Sequence, residues 1–165
     1  MGPIPVEVDY DCNIVNAGGK PVTVETGACY FDSAASFAII RGGHVDMTVL
    51  GALQADQYGS LASHIIPGKM VPGMGGAMDL VTGSKRVVIA MTHTAKGGVP
   101  KILEQITLPA TAIGKVDKII TELAVIAVTA DGLLLQEIAA DTTVEEVQTL
   151  TGADLAVAEN LKVGF

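Results

Sequence analysis

Apolar residues fall in short runs broken by glycine, proline and acidic positions, and the runs differ in period. Residues 45–52 and 86–91 (Arg-Val-Val-Ile-Ala-Met) are nearly continuous apolar stretches rich in β-branched side chains. Such runs suit strands buried on both faces of a parallel sheet, so both are expected as central strands. Residues 22–31 alternate and read as a further strand, and 59–66 as an extended segment. Residues 116–123 fit helix or strand equally. Residues 124–128 and 133–138 flank Thr129-Ala130-Asp131-Gly132, a hairpin signal.

Helical signals are shorter. Asp32 or Ser33 can cap a helix running to residue 40, which Gly42-Gly43 would stop. A second short helix is expected over 76–81. Near the end, Thr142 and Glu145 stand at capping-box spacing, Val144, Val147 and Leu150 share one helical face, and Gly152 fits a C-cap. Residues 1–20 are turn-rich. Strands alternating with short helices predict an α/β fold, an open and mainly parallel sheet flanked by helices. Without repeats or a linker, residues 1–165 read as one domain.

Composition narrows the partners. Hydrophobic content of 49% against 17% charged residues implies a packed chain rather than disorder. A net charge of −8 argues against nucleic acid and anionic membranes, which need a basic face. No apolar run approaches the ~20 residues of a membrane span, and no basic start with an apolar core marks a signal peptide. A reduced, cytoplasmic setting is the expectation. Cys12 and Cys29 lack metal-site spacing, and Cys29, in an apolar run, reads as a core residue. No metal is expected.

The chemistry concentrates in residues 65–80, Ile-Ile-Pro-Gly-Lys-Met-Val-Pro-Gly-Met-Gly-Gly-Ala-Met-Asp-Leu. Glycines there let backbone approach a ligand, and a Gly-Gly step opening a helix offers unpaired N–H groups to an anion. Met70 after Lys69 excludes a phosphate-binding P-loop, which needs Ser or Thr at that place. Met78 at the third glycine position of Gly73-Met74-Gly75-Gly76 makes a poor dinucleotide fingerprint. His44, His64 and His93 stand apart from other ligand types; His44 reads as structural, and His93 either as structural or as lining a cleft beside Lys96. No serine lies in a nucleophile elbow.

Those residues 65–80, with Asn16-Ala17-Gly18, Phe37, Arg41-Gly42-Gly43-His44-Val45-Asp46, Val49-Leu50-Gly51-Ala52, His93-Thr94-Ala95-Lys96, Pro100-Lys101-Ile102-Leu103, Thr107-Leu108-Pro109 and Ile120-Thr121-Glu122-Leu123, closely resemble, in order, the B subunit of the 3-oxoacid CoA-transferases. The resemblance implies a CoA-transferase (NagB/RpiA-like) fold. It implies transfer of coenzyme A between a short-chain acyl-CoA and a short carboxylate (acetoacetate, succinate, acetate or butyrate) through a glutamyl-CoA thioester. No cofactor would be held permanently; the coenzyme A thioester is substrate. Backbone N–H groups of Gly76 and Ala77 would form the oxyanion site. Asn16, Ala17, Gly18, Lys69, Gly73, Gly75 and Met78 would bind coenzyme A or substrate. Partners would be a separate A subunit, a second copy in a homodimer, or both.

Two departures accompany the resemblance. Ala62-Ser63-His64 stands where the family usually has Ala-Asn-Trp, and Gly19 then Lys20 where relatives often carry lysine directly after Asn-Ala-Gly. The family's nucleophile lies in a Glu-Asn-Gly motif just before the segment matching Gly2-Pro3, so the expectation is that this chain begins after it. None of its own glutamates stands in such a motif, no catalytic side chain is assigned here, and the chain alone is expected to be inactive. The alternative is a non-catalytic scaffold or CoA-ligand-binding fragment of such a complex.

Overall fold

The structure is a computed structural model that describes residues 2–5, 11–16, 19–69, 73 and 75–164. The chain divides into two compact units, Met1–Ser36 and Phe37–Phe165.

In the first unit, turns are held by backbone pairing: Gly2 N–H donates to Thr23 O, Thr23 N–H to Pro3 O, and Asn16 N–H to Lys20 O. The expected strand over 22–31 is absent. A turn closes it off instead, with Ala28 N–H on Glu25 O and Gly27 at φ +90°, a conformation that interrupts a ladder. Cys29 is exposed, not a core residue.

Helix α1 (Ser33–Arg41) starts where Asp32 accepts the N–H of Ala35 through its side chain at 2.8 Å. It stops as predicted at Gly42-Gly43, with Gly43 at φ +74°. The second unit then builds β1 (Thr48–Leu50), β2 (Gln54–Asp56), β3 (Leu61–Ala62), α2 (Ala77–Gly83), β4 (Val87–Ala90), β5 (Ile102–Leu103), β6 (Lys118–Ile120), β7 (Ala124–Thr129), β8 (Gly132–Ile138), α3 (Val144–Leu150) and β9 (Leu155–Val163).

Six strands form one sheet in the order β1-β4-β6-β7-β8-β9. The pairs β1–β4, β4–β6 and β8–β9 are parallel, and β6–β7 and β7–β8 antiparallel. The sheet is therefore mainly parallel, with helices from the same α/β alternation. Residues 86–91 supply the central strand β4, as expected. Residues 45–52 supply only three strand residues, and β1 lies at the sheet edge rather than centrally. One row of side chains across the strands, Leu50, Ile89, Ile119 and Ile126, points into the core, where the last three are fully buried.

A small second sheet, β3-β2-β5, was not foreseen. Its hinge is Asp56, 1% exposed, whose carboxylate accepts the N–H groups of Tyr58, Ser60 and Ile106. Gly59 completes that turn at φ +77°, with the carbonyl of Val116 only 2.9 Å from where a Cβ would sit.

The capping box exists one residue later than expected. Thr143, extended at φ −119°, accepts from Glu146 N–H, while the Glu146 carboxylate accepts from Thr143 N–H. Thr142 donates to the same carboxylate, which explains why its spacing misled. Gly152 is no C-cap; Thr151 is. A Cβ at Gly152 would instead meet Leu103 and the Ile102 carbonyl at 3.0–3.1 Å, so close packing on β5 selects the glycine.

Candidate functional site

Helix α2 ends one residue before Ser84, which bridges in parallel to Val45 just ahead of β1. The end of α2 thus lies at the amino end of the parallel strands, and its start points toward their carboxyl ends. In open α/β sheets ligands bind outside those carboxyl ends. Gly76 is the N-cap residue of α2, and no side chain caps the helix, so its first N–H groups have no acceptor within the helix or from a capping side chain.

Gly75 takes φ +58°, a conformation glycine reaches without cost, whereas Gly76 sits at an ordinary φ of −86°. The need for glycine at 76 is steric: a Cβ there would lie 3.3 Å from the Phe37 ring. Phe37 in turn carries the Arg41 guanidinium 5.7 Å above its ring, and Arg41 Nε meets Asp79 Oδ1 at 2.6 Å in the first turn of α2. At the other end, a Cβ on Gly83 would run into the Ile40 carbonyl. Residues 37–41 therefore grip α2 along its length.

Ala77 is half-buried and Met78 39% exposed beside this opening. Gly73 lies exposed ahead of it, with open space around a would-be Cβ. Lys69 is exposed and ends a turn closed by its N–H on Ile66 O, with Gly68 at φ +75°. Asn16 belongs to the first unit, where its side-chain oxygen accepts the N–H of Lys20 at 3.1 Å. Ala17 and Gly18, like Met70, Val71, Pro72 and Met74, lie outside the described residues.

The segments leaving β4 and β6 bring together polar groups that the sequence reading left unassigned. Glu122 accepts the N–H of His93 with both carboxylate oxygens, at 3.0 and 3.2 Å, and Lys101 Nζ donates to Thr92 Oγ1 at 3.1 Å. Burial lowers the Lys101 pKa, and the charge of Glu122 partly restores it. His93 is fully buried between the hydroxyls of Thr121 and Thr151, each at 2.9 Å, so it lines no cleft. Ser63, His64 and Thr111 form a half-buried triangle of hydrogen bonds before the glycine segment, with Ser63 Oγ and Thr111 Oγ1 at 2.8 Å and His64 Nδ1 3.3 Å from each. Among the described residues no three His, Cys, Asp or Glu side chains are placed to hold a metal ion, and no helix is long and apolar enough to cross a membrane.

Comparison with known proteins agrees with this arrangement. The profile of the family described as coenzyme A transferase matches residues 1–150. The chain is 54% identical over 150 residues to the beta subunit of the acetate CoA-transferase of Haemophilus influenzae, covering 91% of this chain and 67% of that protein. It is 47% identical over 161 residues to the B subunit of a probable succinyl-CoA:3-ketoacid coenzyme A transferase of Bacillus subtilis, covering 98% and 74%. Among solved structures, an acyl-CoA transferase from E. coli O157:H7, in a thioester complex with CoA, superposes with a TM-score of 0.73 at 26% identity. That superposition covers 82% of this chain and 31% of that one.

Proposed function

Because the chain belongs to the coenzyme A transferase family, we propose that it serves as a B-type subunit. In that role it moves coenzyme A between a short-chain acyl-CoA and a 3-oxoacid or other short carboxylate, together with an A subunit. The observation that carries this reading is the glycine-opened, side-chain-uncapped start of α2 at the carboxyl end of the parallel strands.

The chemistry needs such a feature. A glutamate oxygen attacks the thioester carbonyl, the coenzyme A thiolate leaves, and a mixed anhydride forms. The thiolate then attacks the glutamyl carbonyl, releasing the donor's carboxylate and leaving a glutamyl-CoA thioester; the acceptor reverses both steps. Each attack puts negative charge on a carbonyl oxygen, and preorganised N–H donors lower that barrier. The N–H groups of Gly76 and Ala77 are the donors of this reading, with Gly73, Gly75, Met78, Lys69 and Asn16-Ala17-Gly18 along the coenzyme. The sequence contains no Glu-Asn-Gly, and the nucleophile is assigned to none of its glutamates.

Calorimetric titration with acetyl-CoA, followed by competition with free CoA, tests the reading, alongside an assay for acetoacetyl-CoA formation with an added A subunit. Saturable, CoA-competed binding is expected, with no turnover from the chain alone. Absence of any CoA-thioester binding overturns the assignment, and rapid turnover by the chain alone would place the nucleophile among its own glutamates.

A further inference from the structure

The six-stranded sheet is covered on one face only. Side chains alternate along a strand, so the row opposite Leu50, Ile89, Ile119 and Ile126 is Val49, Val88, Lys118 and Ala127, with Ile120 following on β6. On this outer face Met47 is 50% exposed, Val49 60% and Ile120 37%. Together with Val88 they form the apolar floor of a groove of about 410 Å³. Parallel strands of this kind are ordinarily buried on both faces, so an exposed floor on β1, β4 and β6 calls for an occupant.

The rim narrows what that occupant is. Arg86, Asp117 and Lys118 border the groove, and none of the three makes an ion pair among the described residues. A nucleic acid or an anionic membrane would want cations alone, on a chain whose net charge is −8. A surface that is apolar at its centre, with both signs at its edge, is complementary to itself. In a two-fold, face-to-face contact each patch meets its own copy, and Asp117 of one molecule faces the Arg86 and Lys118 side of the other. We propose that this outer sheet face is a self-association surface on which a second copy of the chain packs. Packing and rim charge alone carry it, independent of the transferase reading.

The global charge adds a signature. Two copies at −8 repel, so screening should strengthen a contact made by apolar side chains, whereas one made by surface ion pairs would weaken. Sedimentation equilibrium of the full chain from about 1 to about 200 µM reads the association, with a dissociation constant in the micromolar range expected. Raising NaCl from about 50 to about 500 mM should tighten it several-fold. Val49→Lys should weaken it at least about tenfold, burying a charge at the contact centre, while the thermal melt stays unchanged because Val49 is exposed in the monomer. Ile113→Lys, 75% exposed and outside the groove, should leave association unchanged. A chain monomeric throughout, a dimer indifferent to Val49→Lys, or one equally weakened by Ile113→Lys would each overturn the proposal. So would an A subunit that occupies this face in preference to the second copy.

Discussion

His93 Nε2 lies 2.9 Å from Thr151 Oγ1, 58 positions away in sequence, and in this pair the histidine is the donor. The Thr151 hydroxyl already donates to Val147 O at 2.7 Å, leaving it only as an acceptor. On the other side, Thr121 Oγ1 accepts the N–H groups of Leu123 and Ala124, so its proton goes to His93 Nδ1. The imidazole is thus neutral with its proton on Nε2, tying the ends of β4 and β6 to the end of α3.

A titration prediction follows from that pairing. Burial lowers the His93 pKa below the ordinary histidine value of about 6.5, opposed in lesser degree by the charge of Glu122. The folded state then resists a proton that the unfolded chain accepts. Stability is full above about pH 6.5 and is lost as pH falls from there through the lowered folded value. Urea melts at pH 7.5, 6 and 5 should show this slope, and His93→Gln, which does not titrate, should flatten it.

Asp56→Ala should cost about 3–5 kcal/mol, since three backbone N–H groups lose a buried carboxylate acceptor. Asp56→Asn keeps one acceptor oxygen and should lose less. The midpoint of denaturant unfolding, with the slope unchanged, checks both.

Gly83→Ala should destabilise by about 3 kcal/mol despite the higher helix propensity of alanine, because the new methyl group collides with the Ile40 carbonyl. A melting temperature equal to the parent's would mean that α1 and α2 separate more readily than their packing implies.

Gly76→Val bears on chemistry. If its N–H is an oxyanion donor, turnover of the assembled enzyme should fall by about 10²–10³. Because a Cβ is already 3.3 Å from Phe37, some loss of stability will accompany it. Turnover per folded molecule is therefore the readout, and a normal value there would reduce Gly76 to a packing residue.

Thr143→Ala should cost about 1 kcal/mol by opening the capping box, and Thr142→Ala clearly less. Paired thermal melts distinguish the two.

What could be read from the residues depended on how local the cause was. Helix α1, its Asp32 cap and its glycine stop were legible because all three act within one turn. So were β4, from its unbroken apolar run, and the β7–β8 hairpin, from Gly132. The small sheet was not, because Ile102-Leu103 joins Ala55-Asp56 only after Asp56 has gathered donors 50 residues away. Strand β9, with polar Glu159, Asn160 and Lys162, has no apolar signature; it is set by parallel pairing to β8. At the site, the glycine run pointed to α2's opening, while the roles of Gly75 and Gly76 were separable only by φ and by the position of Phe37. The grip of Arg41 on Asp79 joins positions 38 apart and has no spacing to read.

The reversal of strand direction at β6 has a consequence for the order of assembly. Beyond it lie the β7–β8 hairpin, closed by a two-residue turn, and β9, brought back by α3 within about thirty residues. Before it, β1 must find β4 39 residues away (Thr48 to Val87), and β4 must find β6 30 residues away (Val88 to Lys118). Short closures form first and long ones add to them. The C-terminal half should then act as the template, with β6 docking antiparallel on β7, then β4, and β1 last. Amide exchange would show that gradient directly, with Ile126 and Leu135 opening only on global unfolding and Val49 exchanging through local fraying.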